Sequence, residues 1–239
     1  APLLPHDPHT PPARLAEKYR GKGPTPHAEV YHAMVEWFDE TCGDLDSCLK
    51  DRNIKDNTVI LYLADNGWNP LQGYKGGRAK LTPYENGIRT PMFIRWPGQI
   101  TPLRDDETLA SIIDFAPTIL NLAGIKAPEK LPGLDLRDRA AMTARRTLFI
   151  ESYTHDIEDL ADPVKSLTSR TVIDGWSKLI VPGPRAVTGE RQAPFSKLAG
   201  KTELFDLKND PGEATNLATE RPEEAARLKA MIDAWWKID

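Results

Sequence analysis

The spacing of apolar residues divides the first hundred positions into a helix and two strands. Apolar residues recur at helical spacing over residues 27–52, which predicts a long amphipathic helix that ends at Asn53. Residues 59–63 form a continuous β-branched and aromatic run, which predicts a strand buried on both faces, as in a parallel sheet. Residues 88–96 predict another strand, and Pro97-Gly98 closes it with a turn. This alternation indicates an α/β fold.

The last third of the chain has a pattern of short strands. The predicted strands are residues 147–153, 169–174, 177–181 and 203–207. Asp174-Gly175 is a hairpin signal between the second and the third of them. A helix is predicted over residues 222–237, and strands followed by a packing helix suggest an antiparallel sheet covered on one face. We therefore expect two domains, an α/β domain over residues 1–140 and a small α+β subdomain over residues 141–239.

Proline and glycine limit two further segments. Prolines at positions 2, 5, 8, 11 and 12 exclude a helix before about Ala13. Residues 111–122 predict a helix that is interrupted near Pro117 and capped by Gly124 just past its end.

Composition and charge exclude several classes of function. The chain has 239 residues, of which 40% are hydrophobic, enough for a sizeable core. Its net charge of −4 does not indicate a nucleic-acid-binding surface, and it has no apolar run long enough to span a bilayer. Cys42 and Cys48 fall on the predicted helix about 9 Å apart along its axis. That separation exceeds disulfide reach, so the redox compartment stays undetermined.

Polar residues follow the first predicted strand directly. Asp65 supplies a carboxylate and Asn66 an amide oxygen, and both are hard donors suited to Ca²⁺ or Mg²⁺. In open α/β sheets the carboxyl ends of the strands are where ligands bind. The alternative interpretation is a capped turn, since Asp-Asn-Gly is also ordinary turn chemistry.

Several motifs resemble those of the sulfatase family, within the alkaline-phosphatase-like group of metal-dependent hydrolases. The matching stretches are Asp65-Asn66-Gly67, Lys80 with the following TPYENGIRTP of residues 82–91, IRWPG of residues 94–98, and ELFDL, DPGE and NL of residues 203–207, 210–213 and 216–217. The resemblance thus spans nearly the whole chain. It implies part of a sulfatase-like α/β/α sandwich with a smaller C-terminal antiparallel sheet plus helix.

The resemblance also implies roles for three residues near the first strand. Asp65 and Asn66 become ligands of a divalent cation, most often Ca²⁺ with Mg²⁺ as the alternative, and Lys80 contacts the sulfate oxygens. This chemistry is consistent, because a sulfuryl group in transfer spreads negative charge over its oxygens, which a cation and an ammonium stabilise. Lys75 and Arg78 are nearby rivals of Lys80, but their spacing to the TPYENG motif does not match.

Histidines provide the remaining candidate contacts. The proline-rich opening resembles the Pro-His-x-Pro loop of sulfatases, which implies that His6 is catalytic and lies against the sulfate group and its leaving oxygen, with His9 as its neighbour. A histidine can donate a hydrogen bond or a proton near neutral pH. The alternative is two exposed histidines in a proline-rich segment. His155 follows a predicted strand and is a weaker candidate for substrate binding.

The family's nucleophile has no match in this chain. Sulfatases carry a Cys-x-Pro-Ser-Arg motif whose cysteine is oxidised to formylglycine, and neither Cys42 nor Cys48 has that context. The aspartates that complete the family's metal site are missing too, and two oxygen ligands are too few for Ca²⁺. The chain opens on Ala1-Pro2 without an initiator Met or a signal peptide, as a fragment would. We therefore expect this chain alone to be inactive and to bind metal poorly, with the formylglycine in a missing N-terminal half as its partner.

The sequence thus predicts the C-terminal half of a sulfuric ester hydrolase. The alternatives are a phosphodiesterase or phosphonate monoester hydrolase of the same superfamily, and a non-catalytic module that binds sulfate or glycans. The family implies a sulfated small molecule or glycan as substrate and an extracytoplasmic location, whether periplasmic, secreted or lysosomal. No nucleic-acid partner and no membrane span are expected.

Overall fold

The computed structural model describes residues 4–68, 78–154, 156–184 and 200–238. The described residues divide into two compact units that alternate along the chain. The first unit contains the chain up to Ala64, Trp68, and the stretch Pro91–Leu103. The second contains Asp65–Gly67, the described part of residues 77–90, and the chain from Arg104 onward. The domain boundary after residue 140 stays a prediction.

Helices α1 (Ala13–Tyr19) and α2 (Pro26–Asp51) pack together in the first unit. Helix α1 begins where the run of prolines ends, as predicted. Helix α2 begins at Pro26, and the Thr25 side chain accepts a hydrogen bond from the N–H of Ala28 at 3.1 Å, which caps the helix. The long predicted helix is therefore confirmed. Cys42 and Cys48 are exposed on it and form no disulfide.

Strands β1 (Ile60–Leu63) and β2 (Met92–Arg95) form a two-stranded sheet in the same unit. They pair antiparallel, and every residue of β1 is only partly buried, so the prediction of a strand buried on both faces in a parallel sheet is wrong for this pair. The apolar run instead provides an aromatic face, in which Tyr62 stacks on Phe93 at 4.7 Å. An unbroken apolar run in the sequence indicates apolar surroundings, but it does not indicate the direction of the neighbouring strand.

The second predicted strand begins later than expected. Residues Glu85–Ile88 form a one-turn helix, α3, which belongs to the second unit. Ile88 is therefore helical, and Pro91 separates the helix from β2. The apolar residues on both sides of Pro91 belong to two different elements, which the spacing alone did not distinguish.

Helix α4 (Phe115–Leu122) follows a single 3₁₀ turn in the second unit, and helix α5 (Arg139–Ala144) comes next. The predicted interruption lies before α4 instead of at Pro117, because a proline is tolerated in the first turn of a helix. Gly124 follows α4 with a φ of +72°, as expected of a glycine that ends a helix.

A four-stranded antiparallel sheet and a helix form the rest of the second unit, as predicted. The strands are β3 (Thr147–Tyr153), β4 (Leu167–Asp174), β5 (Ser177–Pro182) and β6 (Glu203–Asp206), in the spatial order β3-β4-β5-β6, and the helix is α6 (Pro222–Trp235). Gly175, with a φ of +61°, turns the chain between β4 and β5, which confirms the hairpin.

Each face of this sheet has its own core. Leu228 and Ile232 of α6 pack against one face, whose inward residues include Leu179 of β5. On the opposite face Ile180 and Phe205 pack with Tyr84, the residue that precedes α3. The sheet is therefore covered on both faces, so the prediction of a sheet covered on one face is wrong, and the segment carrying the TPYENG motif provides the second cover.

A buried ion pair joins α4 to α5. Asp114 has no exposed surface and accepts hydrogen bonds from both terminal nitrogens of Arg145 at 2.7 and 2.6 Å. The same carboxylate accepts the backbone N–H groups of Ser111 and Leu134, each at 2.8 Å. The pair fixes the loop between the two helices. Among the described residues, none of the helices combines the length and the apolar character needed to cross a bilayer.

We expect Arg145→Met to lower the free energy of unfolding by about 3–5 kcal/mol, because it leaves the buried Asp114 carboxylate without its counter-charge. Urea denaturation followed by circular dichroism measures this change. The matched control is Lys165→Met, which removes an exposed ion pair with Asp159 and should leave the denaturation midpoint unchanged. Equal midpoints for Arg145→Met and the wild type would contradict the assigned role.

Candidate active site

The Asp65–Gly67 segment lies in the second unit and follows β1 in the chain. Asp65 is exposed, so its carboxylate is accessible. Asn66 is half-buried, and its amide nitrogen donates a hydrogen bond to the carbonyl of Gly67 at 3.0 Å. This contact orients the amide group, and the Asn66 oxygen has no hydrogen-bond partner among the described residues. The two predicted metal-ligating residues therefore present oxygen donors from a short, ordered segment.

Two glycines bring three segments of backbone into close approach. The N–H of Gly67 donates to the carbonyl of Gly87 in α3 at 2.9 Å. A Cβ atom at Gly67 would overlap the carbonyl of Asn86, and one at Gly87 would overlap the carbonyls of Ala79 and Thr82. Only residues without a side chain fit these contacts. Gly87 lies within α3, so its missing side chain allows the helix to approach the other two segments.

Lys80 lies in a turn that is held against α3. The turn is closed by the backbone N–H and the hydroxyl of Thr82, which donate to the carbonyl of Ala79 at 3.1 and 2.6 Å. Leu81 has a φ of +69°, which is uncommon for a residue with a side chain and marks a strongly constrained backbone. Lys80 itself is half-buried and makes no hydrogen bond or ion pair with other described residues. Its ammonium group is thus available for an anion.

Arg78, the nearby rival of Lys80, is engaged within the fold. Its guanidinium lies over the ring of Tyr84 at 4.3 Å and donates a hydrogen bond to the carbonyl of Glu213. It also lies 3.8 Å from the carboxylate of Glu203. These contacts support Lys80 as the anion-binding candidate. Lys75, the other rival, lies outside the described residues.

The two histidines of the proline-rich opening differ in exposure. They belong to the first unit. His6 is exposed, and its Nδ1 atom lies 2.6 Å from the carbonyl of Asp7. The His9 side chain is only 9% exposed, and its Nε2 atom lies 3.0 Å from the Asp7 carboxylate. Burial lowers the pKa of His9, and the Asp7 charge opposes that shift only in part. His9 is therefore a fixed imidazole that favours the neutral form.

An aromatic cluster surrounds His9. His27 and Tyr31 of α2 lie 4.9 and 5.9 Å from its ring, measured between ring centroids. Trp68, which follows the Asp65–Gly67 segment in the chain, stacks on Tyr31 at 3.6 Å and on His27 at 5.4 Å. The Nε2 atom of His27 is buried and has no hydrogen-bond partner among the described residues.

Sequence reasoning missed the cluster, although one signal was available. His27 and Tyr31 are four residues apart on a predicted helix, so they had to share one face.

The donors available for a cation have the right chemistry but are too few. Asp65 and Asn66 provide hard oxygens, whereas Ca²⁺ takes six to eight. Within the described ranges, three or more His, Cys, Asp or Glu side chains are nowhere grouped so as to hold a metal ion. A cation bound at Asp65 and Asn66 would need further oxygens from water or other residues. His155, the remaining predicted contact, lies outside the described residues.

Comparison with solved structures confirms the fold class. A putative sulfatase from Bacteroides fragilis superposes with a TM-score of 0.73 at 21% identity, over 97% of this chain and 51% of that one. A protein solved in complex with its substrate D-glucosamine-2-N,6-O-disulfate gives a TM-score of 0.62 at 24% identity, over 94% of this chain and 45% of that one. The predicted α/β fold of the sulfatase type, with its antiparallel C-terminal sheet, is therefore correct.

Comparison with sequences identifies the family. A curated sulfatase from Formosa agariphila is 28% identical in an alignment of 247 residues, and the alignment covers 92% of this chain and 42% of the relative. The chain therefore spans less than half the length of this relative. The family model described as Sulfatase matches residues 1–125, which is more than half of the 239 residues. On this match, the chain belongs to the sulfatase family.

Proposed function

We propose that this chain contributes anion-binding and cation-binding residues to a sulfuric ester hydrolase. The observation that carries the proposal is Lys80, a half-buried lysine in a constrained turn whose ammonium is free of other described groups. The same unit presents the oxygens of Asp65 and Asn66, and Gly87 contacts both segments. Family membership supports the class of reaction.

The proposed role of Lys80 is to bind the oxygens of the sulfate group. In sulfuryl transfer these oxygens carry the negative charge, and an ammonium that is already in place stabilises the charge without reorganising. A half-buried position strengthens this interaction, since water screens it less.

Asp65 and Asn66 are proposed to supply two ligands of a divalent cation, Ca²⁺ or Mg²⁺. When bound, such an ion would neutralise charge on the sulfate group. Both residues have the hard oxygens that these ions prefer, and Gly67 holds them in an ordered segment. The remaining ligands would come from outside this pair.

A histidine is proposed to contact the leaving oxygen of the ester. The motif match favours His6, whose imidazole is exposed, whereas the Nε2 atom of His9 already lies 3.0 Å from the Asp7 carboxylate. An imidazole can donate a hydrogen bond or a proton to such an oxygen near neutral pH. His155 is kept as a weaker proposed contact with the substrate.

The nucleophile is proposed to be a formylglycine supplied by a partner segment, the N-terminal half of the same protein. The coverage of 42% of the Formosa agariphila relative leaves room for such a segment. We infer that this chain alone lacks hydrolytic activity. The proposed substrate is a sulfated small molecule or glycan, supported by the similar structure solved with D-glucosamine-2-N,6-O-disulfate. An extracytoplasmic location is proposed from the family.

We expect Lys80→Ala to lower kcat/KM of the full-length protein for 4-nitrophenyl sulfate by about 100-fold or more, since it removes a preorganised charge from the sulfate site. The control is Lys126→Ala, an exposed lysine of the same unit. Parallel assays with 4-nitrophenyl phosphate test the phosphoester alternative. Equal activities of the Lys80→Ala and Lys126→Ala proteins would exclude the proposed role of Lys80.

We expect Asp65→Asn to raise the Ca²⁺ concentration required for half-maximal activity at least tenfold, because an anionic ligand is lost. Activity is measured against CaCl₂ after treatment with a chelator. Asp106→Asn, which changes an exposed aspartate of the same unit, is the control and should keep the wild-type dependence. An unchanged Ca²⁺ requirement in Asp65→Asn would remove Asp65 from the cation site.

We expect His6→Gln to lower kcat/KM of the full-length protein for 4-nitrophenyl sulfate more than His9→Gln does, because it removes the proposed hydrogen-bond donor to the leaving oxygen. His9→Gln is the matched control, since the Nε2 atom of His9 is already directed at Asp7. The opposite ranking would make His9 the histidine that contacts the ester.

A further inference from the structure

Glu213 is a buried acid in an unusual backbone conformation. It ends the DPGE motif, has a φ of +55° and is 2% exposed. The Asp210 carboxylate accepts the N–H groups of Ala214 and Thr215 at 3.0 and 2.8 Å, and the Asp210 carbonyl accepts that of Glu213 at 3.0 Å. These contacts fix the turn and direct the Glu213 carboxylate into the interior. Burial raises the pKa of this carboxyl, and the nearby charge of Lys178 opposes the shift.

Lys178 of β5 lies between two acids on the face of the sheet that packs against Tyr84. Its side chain has no exposed surface. The Nζ atom lies 2.8 Å from Oε1 of Glu213 and 3.0 Å from Oε1 of Glu85. A lysine is rarely buried unless it is paired, because an isolated buried charge is costly. This ion-pair cluster, formed by Lys178, Glu213 and Glu85, therefore depends on all of its members.

The cluster holds the start of α3. The Glu213 carboxylate accepts a hydrogen bond from the backbone N–H of Glu85 at 2.7 Å. The residue before the helix, Tyr84, makes no side-chain cap, so Glu213 supplies the partner that this N–H would otherwise lack. Glu85 is thus held through its backbone by Glu213 and through its side chain by Lys178. Tyr84, the preceding residue, donates its hydroxyl to Glu203 at 2.5 Å.

Helix α3 in turn contacts both candidate functional segments. The carbonyl of Gly87 accepts the N–H of Gly67, next to Asn66. The Cα atom of Gly87 packs against the carbonyls of Ala79 and Thr82, which close the Lys80 turn. These contacts leave no space for a methyl group, so a displacement of α3 has to move the Asp65–Gly67 segment and the Lys80 turn together.

We propose that Lys178 is a positioning residue, which acts through Glu213, Glu85 and α3 to set the relative positions of Lys80 and the Asp65–Gly67 segment. The inference rests on the proposed function, because that function assigns those two segments to the reaction. Among the described residues Lys178 forms ion pairs with Glu213 and Glu85 and with no residue of either segment, so its effect is transmitted by backbone contacts. A sheet at the C-terminal end of the chain thereby adjusts residues that lie about a hundred positions earlier.

The test compares Lys178→Met with Arg145→Met in the full-length protein. Each variant removes the cation of a buried ion pair in the same unit, but Arg145 pairs with Asp114, away from α3 in the chain. Under conditions in which both variants are folded, we expect Lys178→Met to lower kcat/KM for 4-nitrophenyl sulfate at least tenfold. It should also raise the Ca²⁺ concentration required for half-maximal activity. Arg145→Met should keep both values within twofold of the wild type. Equal effects of the two variants on activity would reduce Lys178 to a stabilising role and overturn the proposal.

Amide hydrogen exchange provides a readout that does not depend on activity. The N–H groups of Gly67 and Thr82 report the two contacts with α3 and its adjoining turn. We expect both to exchange at least tenfold faster in Lys178→Met than in Arg145→Met, and unchanged rates would overturn the proposal. If the wild type hydrolyses no sulfate ester while these rates still rise, the proposed function fails and the positioning role stands.

Glu85→Gln keeps the test decisive if Lys178→Met does not fold. It retains the ion pair between Lys178 and Glu213 and the backbone hydrogen bond of residue 85, and it removes only the second carboxylate. We expect a smaller loss of kcat/KM and faster exchange at Gly67 and Thr82. Wild-type values for both would overturn the proposal.

Discussion

The contact between Gly67 and Gly87 is the constraint on which the candidate site depends. One hydrogen bond joins the two residues, and neither position has room for a Cβ atom. Because these contacts are between backbone atoms, the Asp65–Gly67 segment keeps a defined position relative to α3. Lys80 gains its position from the same helix. A site that binds a polyatomic anion beside a cation requires such fixed spacing, because its electrostatic stabilisation depends on preorganisation.

Buried charge gives the second unit its specific arrangement. Asp114 with Arg145, and Lys178 with Glu213 and Glu85, are ion pairs withdrawn from water. Each costs desolvation free energy to form, and removal of only one partner costs more, because it leaves a buried charge without a counter-charge. Apolar contacts on the two faces of the sheet would tolerate small shifts of the elements that cover it. Paired charges with defined hydrogen bonds do not, so they fix which residues of α3 and of the loops meet the sheet.

Regular elements were predicted well from the sequence, and contacts between distant segments were not. Strand β3 and helix α2 follow directly from alternation and helical spacing, and the start of α1 follows from the prolines. The predicted parallel sheet was wrong, because β2 pairs antiparallel with β1, and the predicted strand began too early, because Ile88 belongs to helix α3. An apolar run indicates neither the direction of a neighbouring strand nor the presence of a single helical turn. Asp65, Asn66 and Lys80 were selected from the sequence by motif, and their roles stay predictions. The burial of His9 and the partners of Glu213 depend on chain segments that no local pattern connects.

The core on the Tyr84 side of the sheet has a consequence for how this chain could be divided. Tyr84 comes from the first half of the sequence, whereas Ile180 and Phe205 come from the last third, and the three share one apolar cluster. A polypeptide cut after residue 140 would expose that cluster and leave Lys178 between fewer counter-charges. A chimera that exchanges the C-terminal sheet alone would pair Tyr84 with a foreign set of core residues. The sheet and the TPYENG segment therefore have to be altered together.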